Sequence, residues 1–173
     1  MPRTLRGEAV LLRPATVNDI ADLARIRTHP QVYQRWGGGT DMAATIAEEL
    51  ADPEEVTFVI EHETSTVGAI QYGQETEPDY RHAGIDIYLD ADLHGRGLGT
   101  DAVRTLARHL IVDLGHHRLV IDPAADNAPA IACYARVGFR AVGVMRDYER
   151  GPDGSWHDGL LMDLLAGELT GQR

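Results

Sequence analysis

Gly95, Gly97 and Gly99 alternate along the stretch HGRGLGT, directly ahead of a run, DAVRTLARHL, whose apolar residues recur at helical spacing. Amides at a helix start have no intrahelical partner and lie at the positive end of the dipole, so such a turn is suited to hold phosphate. Glycine lets a diphosphate approach with no Cβ in the way, and Arg96 and Thr100 add donors. The spacing departs from the dinucleotide fingerprint G-x-G-x-x-G, and by itself it also fits an ordinary strand-to-helix turn. A second chemical feature stands just upstream. In AGIDIYLD, Ile85, Ile87 and Leu89 share one face of a strand and Asp86 and Tyr88 the other, which sets a carboxylate in mid-strand.

Composition removes several other chemistries. All 16 basic residues are arginine, so the lysine of a Walker phosphate loop, a Schiff base or a pyridoxal enzyme is missing. Cys133 is the only cysteine, which excludes an internal disulfide and a thiolate metal cluster and suits a reducing compartment. The eight histidines are scattered with no H-E-x-x-H, and no metal site is expected. A formal charge of −11 disfavours a nucleic-acid partner and favours a cationic small molecule or a basic peptide. No apolar stretch amounts to a secretory signal or to the ~18 residues of a membrane span, so a cytoplasmic protein with no membrane partner is expected.

The elements that must position these groups follow from periodicity. The 173 residues, 43% hydrophobic, suffice for one domain spanning residues 1–173, with no internal repeat or linker. EAVLLRP reads as a strand, and VNDIADLARIR and DMAATIAEELAD read as helices. Between those helices, HPQVYQRWGGGTD reads as a loop exposing Trp36, because of Pro30 and its three glycines. VTFVIEH and VGAIQYGQE form a strand pair about ETST, followed by the strand AGIDIYLD and a helix over residues 98–113. HRLVIDP is then a strand, NAPAIACYARVG a helix, and FRAVGVMRDYERG and SWHDGLLMDLLA two last strands. The pattern is that of an α/β domain with a mixed sheet. Near the final turn, Trp156 and Asp158 either rim a cleft or serve as a packed aromatic and a solvated acid.

About thirty residues beyond the glycine turn stands IDPAADNAPAIACYARVGF. Together the two segments resemble the GNAT superfamily of acyl-CoA-dependent N-acetyltransferases. His94-x-x-Gly97-x-Gly99 stands where that family has Arg/Gln-x-x-Gly-x-Gly/Ala, departing at the first position, and Asn127, Ala130, Tyr134, Gly138 and Phe139 fit its second motif. The resemblance spans nearly the whole chain. It implies an α/β GNAT fold, with a mixed, mostly antiparallel central sheet splayed in the middle and flanked by helices, and acetyl-CoA as co-substrate. The backbone of Gly95, Arg96, Gly97, Leu98, Gly99 and Thr100 would then surround a pyrophosphate, and that of Ile87, Tyr88 and Leu89 would pair with the pantetheine arm. Asn127 would bond either that arm or its own helix terminus.

The same resemblance implies catalytic roles. Tyr134 would stand at the sulfur, where a phenol of ordinary pKa, about 10, stays protonated at neutral pH and can donate to the departing thiolate. Asp86 would meet the incoming amine, binding its ammonium and accepting a proton directly or through water. Asp122 is a second cation ligand or part of a plain turn. Cys133 has no evident base, so direct transfer in a ternary complex is expected in place of an acyl-enzyme.

VYQRWGGGTD, GIDIYL, HGRGLGTDAV and IDPAADNAPAIACY, in that order, resemble the aminoglycoside 6′-N-acetyltransferases, in which a Trp-Gly-Gly stretch helps floor the drug pocket. Trp36 would pack on a sugar ring while Asp86, Asp122, Glu75, Glu77 and Asp79 hold ammonium groups. The expected partner is thus a small polycationic amine, met by a monomer or homodimer. Related members of the superfamily acetylate ribosomal-protein N-termini or a siderophore hydroxylysine, and a non-catalytic acyl-CoA-binding module is a third class.

Overall fold

The computed structural model describes residues 2–170. Among them, the alternating runs form eight strands: β1 (Leu5–Arg6), β2 (Leu11–Pro14), β3 (Glu55–His62), β4 (Ser65–Glu75), β5 (His82–Leu89), β6 (Arg118–Ile121), β7 (Arg140–Arg150) and β8 (Trp156–Leu165). The helices are α1 (Ile20–Thr28), α2 (Pro30–Trp36), α3 (Met42–Ala51), α4 (Leu98–Arg108) and α5 (Ala128–Val137). One sheet collects the strands in the order β1-β2-β3-β4-β5-β6-β8-β7, antiparallel throughout except where β5 meets β6. That parallel pair touches only at Ala83–Leu119 and Gly84–Val120 and then parts. The result is the expected mixed, mostly antiparallel sheet, splayed in its middle.

Alternation along the strands feeds two apolar layers. Phe58, Ile60, Ile70 and Ile85 pack with Leu98, Val103, Leu106 and Val137 on the side of α4 and α5. Val59, Ala69 and Tyr88 pack with Leu23, Ile26, Val32 and Ile46 on the side of α1, α2 and α3. Asp86, two residues before Tyr88, falls on this second face. No helix among the described residues is long and apolar enough to cross a membrane.

One expected loop is a helix. Pro30 begins α2 instead of breaking the chain, because proline at the first helical position loses no hydrogen bond and brings a helical φ with it. His29 Nδ1 accepts from the Gln31 amide, and Gly37, with a φ of +62°, ends the helix one residue after Trp36.

Asp101, in the first turn of α4, fastens that helix to the N-terminal strands. Its carboxylate accepts the amides of Glu8, Ala9 and Val10 at 3.1, 2.7 and 3.0 Å. Asp101→Ala leaves these amides without their charged acceptor and is expected to cost about 2–4 kcal/mol. Urea unfolding checks it, through a lower midpoint at an unchanged slope.

Candidate active site

The parting of β5 and β6 determines which backbone groups of β5 are free. The Asp90 amide bonds the Val67 carbonyl at 2.8 Å, and antiparallel bonding alternates, so residues 84, 86, 88 and 90 direct N–H and C=O to β4. Ile85, Ile87 and Leu89 direct theirs to the opening. This corrects one expectation: of Ile87, Tyr88 and Leu89, only Ile87 and Leu89 offer backbone to the gap, while the backbone of Tyr88 is taken by Ala69 and its ring by the second core. The Ile87 carbonyl also accepts from Trp36 Nε1 at 3.1 Å, and His94 Nε2 lies 3.2 Å from the Leu89 carbonyl.

A cavity of about 1050 Å³ runs from the start of α4 through this gap to Asp122 and the inner side of β7. At its α4 end Gly95 and Gly97 have φ values of +78° and +79°, and a Cβ on either would meet nothing within 4 Å. Glycine is needed there for the left-handed backbone, with open space beside it. The first bond of α4 runs from the Asp101 amide to the Gly97 carbonyl at 3.1 Å, so the amides of Leu98, Gly99 and Thr100 precede it. Gly99 instead serves packing, since a Cβ would stand 3.2 Å from Leu89 Cδ1. The side-chain donors are distributed otherwise than expected. Arg96 is exposed and outside the cavity lining, whereas Arg136, on α5, lines it. Thr100 Oγ1 lies 3.2 Å from Cys133 Sγ.

Tyr134 stands midway, carried by α5, whose start Asn127 caps by accepting the Ala130 amide at 3.4 Å. Asn127 still lines the cavity, so the cap and a cavity contact coexist. The Tyr134 ring is 8% exposed and packs edge-on to Phe139. Burial, then the nearby Cys133, Asp86 and Asp122, push its phenol well above the usual range. Among the described residues none bonds its hydroxyl. It is a protonated, uncommitted donor facing the cavity.

Carboxylates line the far end. Asp86 is open to the cavity yet enclosed on most sides by protein, and its carboxyl is pushed up to about 7, first by that desolvation and then by Asp122, Glu55 and Glu149. Asp122 accepts from the Tyr148 hydroxyl, which this bond pushes up to about 12. Glu149 is raised by burial and by Asp122. None of Asp86, Asp122 and Glu149 has an ion-pair partner among the described residues. Trp36 forms part of the wall, held by its bond to Ile87, by Tyr88 at 4.8 Å, and by the Arg27 guanidinium 4.9 Å over its ring. Arg27, 3% exposed, is itself paired with Glu49.

Three acids named from sequence are elsewhere. Glu77 and Asp79 lie on an exposed segment and line neither cavity, and Glu75 joins Glu54, Glu55 and His82 around a smaller pocket of about 270 Å³. Asp86 lines both cavities. Tyr148, Glu149, Arg136 and Arg27 were not singled out by sequence. The signal for the first two was present in MRDYERG, where acids and a tyrosine occupy both faces of a presumed regular strand.

A splayed mixed sheet with free helix-start amides at one end of the gap and the Tyr134 phenol within it defines a class. Residues 9–140 match the family of acetyltransferase (GNAT) domains, and the chain belongs to it. It is an acetyltransferase, and acetyl-CoA is its co-substrate; the bare amides of α4 and the edge of β5 turned to the gap suit a diphosphate and an extended amide arm. The chain is 28% identical over 170 residues to an aminoglycoside N(6′)-acetyltransferase type 1 of Klebsiella pneumoniae, covering 87% of this chain and 82% of that protein. Among solved structures, AAC(6′)-Ib in complex with paromomycin and acetyl-CoA superposes with a TM-score of 0.77 at 28% identity, covering 95% of this chain and 99% of that one. Mycobacterium smegmatis RimJ in complex with CoA-disulfide gives a TM-score of 0.81 at 29% identity, covering 98% and 88%.

Proposed function

We propose that this acetyltransferase modifies a primary amine of a small polycationic acceptor, best represented by the 6′-amino group of an aminoglycoside. The observation that carries this reading is the unpaired carboxylate group of Asp86, Asp122 and Glu149 beyond Tyr134, which calls for positive charge from a ligand. The named activity of the Klebsiella relative supports it. The resemblance to superfamily members that acetylate ribosomal-protein N-termini keeps a peptide N-terminus as the second reading.

Bound acetyl-CoA supplies a thioester carbonyl activated toward an amine. The protein's residues do the rest. Asp86 takes the proton that the amine gives up as its C–N bond forms, directly or through water. Tyr134 donates to the sulfur as the C–S bond breaks. Cys133 has the Thr100 hydroxyl as its neighbour and, among the described residues, no base bonded to it, which favours direct transfer.

Free-thiol release from acetyl-CoA against kanamycin-type and gentamicin-type aminoglycosides, basic N-terminal peptides and hydroxylysine derivatives tests the assignment. Release with aminoglycosides alone is expected. Release with peptides alone overturns it.

A further inference from the structure

The β7–β8 hairpin departs from regular register. Between the pairs Met145–Gly159 and Glu149–His157, four steps of β7 are set against two of β8. At Asp147, within this bulge, φ is +46°, a left-handed value that ordinarily favours glycine. A regular strand would turn Tyr148 and Glu149 to opposite faces, but with the bulge both line the cavity. One residue ties the parts together. The Asp158 carboxylate accepts from the Asp147 amide at 2.9 Å, while its carbonyl accepts from the Ala125 amide at 2.9 Å, in the loop that follows Asp122. The adjacent Gly159 gives the tyrosine room, since a Cβ there would stand 2.8 Å from Tyr148 Cδ1.

We propose that Asp158 is a positioning residue for the acceptor end of the cavity: by holding Asp147 in its left-handed turn it aims Tyr148 at Asp122 and Glu149 at the acceptor. The inference rests on reading that end as an ammonium site, so it is tested by one measurement independent of any acceptor and one dependent on it.

Asp158→Leu removes the accepting oxygen, and Asp158→Asn keeps one. Tyr148, which faces Asp122, Asp86 and Glu149, ionises late because of its bond to Asp122. In Asp158→Leu one further tyrosine is expected to ionise in the ordinary range near pH 10, read as added phenolate absorbance that the wild type and Asp158→Asn lack and that Tyr148→Phe abolishes. With kanamycin as acceptor, Asp158→Leu is expected to raise KM about tenfold with kcat within about twofold, and to add nothing when combined with Tyr148→Phe. Gly159→Ala, which displaces the same ring with the Asp158 bond intact, gives the same two readouts should the leucine variant fail to fold.

Equal behaviour of the leucine and asparagine variants, or an unchanged tyrosine titration in both Asp158→Leu and Gly159→Ala, overturns the proposal. A shifted titration with unchanged KM upholds the positioning role and overturns the ammonium reading of the site.

Discussion

Tyr134→Phe is expected to lower kcat by about two orders of magnitude while acetyl-CoA affinity and thermal stability stay near wild type. The stability half follows from packing. The ring keeps its place against Phe139, and among the described residues the hydroxyl bonds nothing, so its removal strands no partner. The kinetic half follows from where the hydroxyl stands. A donor fixed in a dry site and aimed at developing charge contributes roughly 10²–10³ to turnover, because it stabilises the transition state without reorganising. Burial has raised this phenol above its usual range, so the proton stays on oxygen throughout the working pH. The main contribution is therefore a hydrogen bond to the developing thiolate, and the acidic limb of the pH profile has another origin. Steady-state kinetics and calorimetric titration of CoA into the variant check both halves. Turnover equal to wild type removes Tyr134 from the chemistry.

The parts of this molecule that local pattern can specify were legible in its sequence. Alternation in AGIDIYLD fixed the two faces of β5, and the glycine spacing located the start of α4. Asn127 caps, and Tyr134 lies on, the helix that the family motif assigns. Pattern failed where the outcome depends on groups distant along the chain. Pro30 and the glycines near Trp36 carry the same local signal whether the segment is a loop or, as here, a two-turn helix whose Val32 is buried in the second core. Chain order points to Glu75, Glu77 and Asp79 as further acids because they closely precede Asp86. The sheet order instead brings β7 and β8 across β6, so Glu149 and Tyr148 from the far end of the sequence meet Asp86 and Asp122. A bulge also defeats alternation, which is why two consecutive residues of β7 share the cavity.

The acidic limb is expected to belong to Asp86. Its carboxyl, at about 7, is neutral below that pH and becomes a proton acceptor above it, so kcat/KM is expected to rise with pH through about 7. In Asp86→Asn that limb disappears and kcat/KM for a polycationic aminoglycoside falls by about two orders of magnitude, the ordinary range of a general base. The monoamine glucosamine loses turnover alike but shows the smaller rise in KM, because only the polycation spans from Asp86 to Asp122 and Glu149. Stability moves the opposite way. A carboxyl whose folded pKa lies above its ordinary 3.8 destabilises the native state increasingly as pH rises from about 4 to 7, and constantly beyond. Asparagine carries no such charge, so the thermal midpoint of the variant should exceed wild type by a margin that widens over that window and then levels. The neighbouring Asp122, Glu55 and Glu149 act on the Asp86 carboxyl, so loss of the inflection in the single Asp86 variant is what assigns it. A profile that keeps its inflection in Asp86→Asn moves the base to another residue. A stability margin that shrinks with pH would mean the carboxylate is paired in the native protein, and would remove the uncompensated negative charge on which the choice of a cationic acceptor depends.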